Sequence, residues 1–424
     1  MLTRILHNSP ALCTFLDGLD LSLSQPQRRH VCNLVDALLV CDCDKTLTAL
    51  QRQFVECVDP TNMADTLRIA PWSARELRQP VGAFLVREAV AWARAAGTLD
   101  YICVSLDDSI ARKHKHTRHL EPVDWHFDHV ESTPHKPRHV NGLAYLGCNV
   151  WIGDVALTFD VRLYLREKTV RRINRQRPTD QHVGFLSKNS LARQMLQALC
   201  PLLPPGVPVY VLHDAWYASA RLIKTTHRHE WHTITALKHN RKVDGQRLDQ
   251  HTLARWHQRY EQVTVTATDG TATSYFTRAF TGKLEEVAFP IRVIDSKRHP
   301  RAPRSAYFGC TDLHLETHTA LQIYGHRWGC ETDNVYLKTR LGVGDFRVRS
   351  YEAVDKYVAV VHLGLAYLQH RLLHERSPHL KNLAHIIQLH RDEHVQDWLR
   401  GACQDAIATG DLEAVLTRFL RLGQ

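Results

Sequence analysis

The sequence predicts an α/β protein: a mixed sheet flanked by helices, interrupted by a β-strand insertion, with helical regions at both ends. Three observations support this fold class. Residues 1–95 have apolar positions at three-to-four spacing, which is typical of helices. From residue 101, short apolar runs and alternating segments are interspersed with helical ones. Residues 240–310 contain mainly alternating segments separated by turns.

The N-terminal part is predicted to be helical throughout. The periodic segments cover residues 28–39, 44–57, 61–78 and 81–96, and Pro71-Trp72 interrupts the third. Gly97 is expected to end the last of these helices, because glycine readily adopts the left-handed conformation that follows a helix. We therefore expect a helical region at 1–96.

The middle of the chain predicts a sheet with crossover helices. Strands are expected at 101–106, 142–152, 155–166, 209–213 and 231–237, and the polar segment 110–140 is expected to be a loop. Gly153-Asp154 suits a two-residue hairpin turn. Ser187 can cap a helix that runs to residue 200, and a second helical stretch precedes residue 230.

Four further strands are predicted within the insertion, at 260–266, 273–281, 287–294 and 305–310. Helical periodicity then covers 315–340, 351–374 and most of the remaining chain. Without the insertion, the middle of the chain has three strands followed by alternating helices and strands, an order that predicts a ribonuclease H-like sheet. The expected domain boundaries are 1–96, 97–239, 240–310 for the insertion, 311–375 and 376–424.

Composition limits the class of protein. Lys and Arg exceed Asp and Glu by 54 − 44 = 10, which favours an anionic partner such as nucleic acid. The eleven cysteines include no C-x-x-C pair, so we expect reduced thiols in a cytoplasmic protein. No secretory signal is evident and no run of 18 apolar residues occurs, so no membrane span is expected.

Three acidic residues occupy positions with chemical meaning in this fold. Asp107 and Asp214 each follow an apolar strand, and the two strands are neighbours in a ribonuclease H-like sheet. Glu331 lies on the helix after the insertion. We therefore expect the three carboxylates to meet at one edge of the sheet.

The helix that carries Glu331 has a polar stripe. At 100° per residue, Tyr324, Arg327, Glu331 and Lys338 fall within an arc of about 60°. Such a stripe suits a charged ligand better than an apolar core; the alternative is a solvated face with an Arg327–Glu331 ion pair.

Clustered carboxylates without His or Cys at metal-ligand spacing favour hard cations such as Mg²⁺ or Mn²⁺. Two such ions per active site are expected, because together they activate a water and stabilise the leaving 3′ oxygen in phosphodiester cleavage.

These residues resemble a known family, the bacterial insertion-sequence DDE transposases of the cut-and-paste type. Tyr324-x2-Arg327-x3-Glu331-x6-Lys338 matches the family's Y-x2-R-x3-E-x6-K signature, and residues 106–109 (LDDS) and 214–217 (DAWY) match its weaker D-x-[ST] and D-x-x-Y motifs. The separation of 331 − 214 = 117 residues is similar to that produced by the family's β-rich insertion.

The resemblance implies excision and integration of an insertion sequence by metal-dependent cleavage and strand transfer. Asp107, Asp214 and Glu331 would be the catalytic metal ligands, and Tyr324, Arg327 and Lys338 would contact DNA phosphates. The helical region 1–96 would be a DNA-binding region. The implied partners are double-stranded DNA with terminal inverted repeats, target DNA and a second copy of the chain, with nucleoid association and no membrane.

Two residues are secondary candidates. Adjacent strand residues point to opposite faces, so only one of Asp107 and Asp108 can meet the other acids. Asp107 is favoured because it directly follows the apolar run, whereas Asp108 would support the site or cap the next loop. Tyr217 belongs to the D-x-x-Y motif.

Several alternatives stay open at this point. His114, His116 and His119 could bind a transition metal, although chance clusters are common among 28 histidines. Cys330 could be a nucleophile, but one residue of helix turns it about 100° from Glu331. The whole chain could also be a domesticated, non-cutting DNA-binding protein or another ribonuclease H-like nuclease, such as a junction resolvase.

Overall fold

A computed structural model describes residues 4–56, 59–128, 131–133, 135–255, 257–266, 270–375 and 377–420. The strands are β1 (Ile102–Arg112), β2 (Asp124–Phe127), β3 (His139–Ile152), β4 (Val155–Tyr164), β5 (Val209–His213), β6 (His232–Leu237), β7 (Lys242–Val243), β8 (Gln246–Arg247), β9 (Glu261–Thr266), β10 (Ala272–Lys283), β11 (Pro290–Lys297) and β12 (Ala306–Cys310).

The helices are α1 (Pro10–Asp17), α2 (Gln25–Val40), α3 (Leu47–Gln51), α4 (Pro60–Arg68), α5 (Ala74–Ala96), α6 (Glu167–Asn174), α7 (Lys188–Leu199), α8 (Ala220–Arg228), α9 (Leu248–Ala254), α10 (Thr317–Gly325), α11 (Gly329–Val335), α12 (Tyr351–His374), α13 (Leu383–Thr409) and α14 (Leu412–Leu420). A short 3₁₀ turn (His326–Trp328) connects α10 to α11, and a π-helical turn (Tyr336–Arg340) follows α11.

A ten-stranded mixed sheet organises the molecule. Its strand order is β2-β3-β1-β5-β6-β12-β11-β10-β9, and β4 pairs with β3. The pairs β1–β5 and β5–β6 are parallel, and the others are antiparallel. Helix α8 connects the parallel neighbours β5 and β6, as such a pair requires. The predicted α/β, ribonuclease H-like fold is confirmed.

The predicted strand-rich insertion is also confirmed, and its strands extend the main sheet. β12 pairs with β6, and β11, β10 and β9 follow as successive antiparallel neighbours. The β7–β8 hairpin and α9, which lie between β6 and β9, were not predicted from the sequence. Their periodic segments are too short to give a recognisable pattern.

The expectation of a loop at 110–140 was wrong at both ends and in the middle. β1 continues to Arg112, β2 occupies 124–127, and β3 begins at His139. Polar residues suggested a loop, yet residues 124–127 form β2 and pair with residues 139–142 of β3. Buried and exposed residues alternate along this short strand. Of the helix expected over 44–57, only α3 forms, and residue 57 lies outside the described parts.

The helical ends of the chain share a core with the sheet. Ten consecutive residues of α2, from 31 to 40, are buried, and α12 is buried along most of its length. Residues of α1, α2, α5, α12 and the first strands form one hydrophobic cluster. Because this core is shared, it does not mark where one domain ends and the next begins, and the domain boundaries stay a prediction. None of the helices in the described segments is long and apolar enough to cross a membrane.

Candidate active site

Strand pairing brings two of the three acidic residues together. The parallel pairing of β1 with β5 ends where Leu106 pairs with His213, and the next residues are Asp107 and Asp214. Asp107 does not end its strand as expected, because β1 continues along β3 to Arg112. What ends at this point is β5, so the two aspartates occupy neighbouring positions at its end.

The alternation of β1 decides which acid faces the helix that carries Glu331. Ser105 points to that side, since its Oγ lies 3.0 Å from Sγ of the α11 residue Cys330. Asp107 is two residues further and shares this face. Its Oδ2 lies 3.9 Å from Nη1 of Arg327.

Arg327 lies between two carboxylates. Its Nη2 is 3.1 Å from Oε1 of Glu331, and its Nη1 is the group near Asp107. The Arg327 side chain is only 12% exposed, so the guanidinium is a largely desolvated positive charge inside the acidic cluster. It offsets the repulsion between the acids, as expected for an oppositely charged group held at close range.

The electrostatics of Asp107 show how closely the acids are gathered. The pKa of Asp107 is raised to about 7: burial is the largest cause, Asp108, Asp214 and Glu331 also raise the pKa, and Arg327 lowers it. The fully ionised cluster is therefore unfavourable without an added cation. This concentration of carboxylate oxygens fits a hard divalent cation.

A tight turn fixes Asp214. Its Oδ1 accepts hydrogen bonds from the backbone N–H groups of Trp216, at 2.9 Å, and Tyr217, at 3.2 Å. The residue before it, His213, is fully buried, and its Nδ1 lies 2.8 Å from Oγ1 of Thr235. Burial lowers the pKa of His213 to about 4, so this imidazole is neutral at physiological pH.

Asp108 points to the opposite side of the sheet. The hydroxyl of Tyr217 donates to its Oδ1 at 2.8 Å, and Nζ of Lys188 lies 2.5 Å from its Oδ2. Lys188 is the first residue of α7, a helix capped by Ser187 as predicted. Lys188 was not predicted as a site residue from the sequence, because a lysine at the start of a helix gives no specific pattern. Both carboxylate oxygens of Asp108 are thus bound by other side chains of the protein.

The helix that carries the polar stripe is irregular, which corrects the single helical segment expected over 315–340. Arg327 lies in the 3₁₀ turn and Lys338 in the π-helical turn, so 100° per residue does not hold along the segment. π-helical turns are often found at functional sites.

The other three residues of the stripe, Tyr324, Arg327 and Lys338, nevertheless lie near the acids. The Tyr324 hydroxyl donates to the backbone carbonyl of His213 at 3.4 Å. Lys338 is exposed, but the protein around its amine removes part of the solvent and so lowers its pKa, as does Arg112, whereas Asp107 raises it. Lys338 therefore lies within electrostatic reach of Asp107.

The opposite face of α11 is anchored in a buried polar network. Asp333 is buried and accepts hydrogen bonds from Oγ1 of Thr158, at 2.6 Å, and Nε2 of Gln369, at 3.0 Å. Cys330 donates to Oδ1 of Asn149 at 3.0 Å, and burial raises the pKa of its thiol. A buried, protonated thiol on the sheet side of the helix is unsuited to nucleophilic attack. The sequence did not distinguish Asp333 from an ordinary helix acid.

The carboxylate oxygens of Asp107, Asp214 and Glu331 do not all lie within 4.8 Å of one another. Within the described parts of the chain, two groups of three metal-type donors have all donor atoms within 4.8 Å of one another, and neither contains Asp107, Asp214 or Glu331. Arg327 separates Asp107 from Glu331. The group His114, His116 and His119 is likewise absent from this set, which gives no support to a metal site there.

Comparison with known proteins identifies the family. The model of the DDE superfamily endonucleases matches residues 15–272, which is 258 of the 424 residues and includes both strand acids but not Glu331. No curated protein matches the chain. Because the family model covers more than half of its residues, the chain belongs to the DDE superfamily of endonucleases.

Proposed function

We propose that this chain is a DNA transposase that excises and integrates an insertion sequence. The observation that carries the proposal is that Arg327 contacts both Asp107 and Glu331, while Asp214 occupies the strand position beside Asp107. Family membership supports a nuclease that acts on DNA, and the Y-x2-R-x3-E-x6-K signature favours the insertion-sequence branch.

In this proposal Asp107, Asp214 and Glu331 hold Mg²⁺ or Mn²⁺, two per active site. When bound, these ions supply an activated water and stabilise the leaving 3′ oxygen. The protein's own contribution is to fix the carboxylates: β1 and β5 position the two aspartates, and the network of Asp333 positions the helix of Glu331.

The cationic side chains of the stripe would bind DNA. Arg327 already neutralises two carboxylates, and metal binding there would release part of its charge for a phosphate. Lys338 is exposed on the π-helical turn and can reach a phosphate near the scissile bond. Tyr324, packed against Phe308 with ring centroids 5.0 Å apart, would orient its hydroxyl toward the same region.

A supercoiled donor plasmid that carries the DNA flanking the gene tests the proposal. The wild-type chain should excise the segment between terminal inverted repeats with Mn²⁺ or Mg²⁺ and should join it to target DNA. Asp214→Asn and Glu331→Gln should abolish cleavage while DNA binding is largely kept. Full cleavage in excess chelator, or in either variant, would refute the assignment.

The same assay separates the other functions. DNA binding without cutting by the wild-type chain would indicate a domesticated protein, and cutting restricted to branched DNA would indicate a junction resolvase. Excision requires two transposon ends, so we also expect a homodimer on DNA. Its formation can be measured by light scattering with and without end-containing DNA.

A further inference from the structure

Two helices, α5 and α12, carry a second set of potential ligands. α5 and α12 pack against each other. α12 carries His370 and His374, which lie one turn apart on the same face. Glu88 of α5 faces them across the helix pair, and the donor atoms of all three lie within 4.8 Å of one another.

The three side chains already contact one another. Nε2 of His374 is 3.0 Å from Oε2 of Glu88. The rings of His370 and His374 have centroids 4.4 Å apart. Two imidazoles four residues apart on a helix, with a carboxylate from a neighbouring helix, form a three-ligand set that suits Zn²⁺ and related ions.

Aromatic side chains hold the imidazole rings in place. His370 packs against both Phe15 and Phe84, with ring centroids 5.0 and 5.3 Å away. Trp92 packs edge-on against His374 at 6.5 Å. Phe84, Glu88 and Trp92 are spaced at i, i+4 and i+8, so one stripe of α5 supplies both the carboxylate and its aromatic flanks.

The group is also accessible. The side chains of His374 and Glu88 are 43% and 34% exposed, and His370 is half-buried. Water can therefore complete the coordination of an ion held by three protein ligands.

A second group of one carboxylate and two histidines provides a comparison within the chain. Asp36 of α2 lies 2.8 Å from Nε2 of His390 and 2.7 Å from Nε2 of His394, but all three side chains are buried. The other oxygen of Asp36 accepts the N–H of Ser9. These hydrogen bonds satisfy the carboxylate without an ion, so we interpret this group as a contact that fastens α13 to α2.

We propose that Glu88, His370 and His374 form a binding site for a divalent transition-metal ion of the Zn²⁺ type, which would fasten α5 to α12. Around a tetrahedral ion with bonds of about 2.0–2.1 Å, ligand atoms lie about 3.3 Å apart. The present spacing of at most 4.8 Å can reach this value by side-chain rotation alone.

The test is Zn²⁺ binding by the full-length protein in a large excess of Mg²⁺. Mg²⁺ occupies the oxygen ligands of the active site, whereas imidazoles bind it poorly. Glu88→Gln keeps the shape of the side chain, and His374→Ala removes an exposed ring. His379→Ala is the matched control, because His379 is also exposed and lies five residues beyond His374.

Wild type and His379→Ala should bind the same number of Zn²⁺ ions. Glu88→Gln and His374→Ala should lose one of them or bind it at least about tenfold more weakly, since even supporting residues of a metal site contribute that much. Zn²⁺ should also raise the unfolding temperature of the wild type more than that of either variant.

Equal stoichiometry and affinity in all four proteins would overturn the proposal. If His374→Ala does not fold, the isosteric Glu88→Gln decides the question alone. Replacing Zn²⁺ with Co²⁺ adds an independent readout, because a visible absorption band that disappears in Glu88→Gln reports the site directly. Neither measurement depends on DNA cleavage, so the outcome does not depend on the proposed transposase function.

Discussion

Asp107 and Asp108 are adjacent on β1 but have different partners. Asp107 faces Arg327, whereas Asp108 is bound by Lys188 and the hydroxyl of Tyr217. We therefore expect Asp107→Asn to abolish Mn²⁺-dependent cleavage and Asp108→Asn to retain measurable activity. A cleavage assay at equal protein concentration compares the two.

The same pair of variants separates chemistry from folding. Asp108→Asn weakens a half-buried ion pair, so its main effect should be a lower free energy of unfolding. Asp107→Asn removes an acid from a crowded acidic cluster and should unfold at the same or a higher denaturant concentration. An active Asp107→Asn beside a well-folded, inactive Asp108→Asn would assign the metal ligand to Asp108.

Asp36 links the N-terminal and C-terminal helices through a single carboxylate. Burial raises its pKa, but the hydrogen bonds from His390 and His394 outweigh this and lower it to about 2. Because the pKa in the folded chain is depressed, the stabilisation is present at neutral pH and is lost as the pH falls from about 4 through about 2. The shift corresponds to a free energy on the order of 2 kcal/mol.

Denaturant unfolding of wild type and Asp36→Asn tests this contribution. The difference in free energy of unfolding should be largest near neutral pH and should shrink below about pH 4. Asp17→Asn is the control, because Asp17 forms a surface ion pair with Arg28 and such pairs contribute little. A difference between wild type and Asp36→Asn that does not change with pH would show that the carboxylate charge is not involved.

At the scale of elements, the packing of α5 on β4 depends on a glycine in the helix. A Cβ on Gly82 would meet the backbone carbonyl of Phe159 and lie 2.8 Å from Cδ2 of its ring. Gly82→Ala should therefore destabilise the protein by roughly 1–3 kcal/mol, even though alanine favours helix formation.

Gly364 is the matched control, since it lies inside α12 and an added Cβ would meet its nearest neighbours at an ordinary 3.8 Å. Gly364→Ala should be neutral or should stabilise the protein by up to about 1 kcal/mol. The midpoint of denaturant unfolding measures both effects. A Gly82→Ala protein as stable as Gly364→Ala would contradict the packing of α5 described here.

The sequence predicted the elements that have strong periodicity. β5 and α12 have the bounds that were expected, and the insertion strands lie within a few residues of theirs. What it missed depends on tertiary pairing. The polar end of β1 is a strand because β3 continues beside it, and a local pattern cannot show this.

The site could be predicted to a similar extent. Asp214 and Glu331 were expected to converge, and the contacts of Arg327 and Asp107 agree with that placement, although their catalytic roles stay a prediction. The 3₁₀ and π-helical turns around α11 were not foreseeable, because they depend on how the segment packs on the sheet. The support given by Lys188 and Asp333 comes from distant parts of the chain and leaves no local motif.

For the whole molecule, we expect the net charge of +10 to govern the encounter with DNA. Basic side chains that neutralise phosphates release counterions, so the affinity should fall as a power of the salt concentration. If six to ten phosphates are contacted, the affinity should decrease by about 10³–10⁵ between about 50 and 200 mM salt. Fluorescence anisotropy with a duplex that carries a transposon end measures this slope.

Lys338→Ala distinguishes general attraction from a contact at the cut site. Lys338 would contribute one phosphate contact among many, so its loss should reduce the magnitude of the salt slope by about one and weaken binding only modestly. Cleavage should fall much more, because Lys338 lies within electrostatic reach of Asp107 and would hold a phosphate near the scissile bond. Lys115→Ala, which removes an exposed charge from the loop after β1, is the comparison for a change of one positive charge. A Lys338→Ala protein that cleaves normally but binds DNA much more weakly would mean that Lys338 acts in general DNA binding and not at the reacting phosphate.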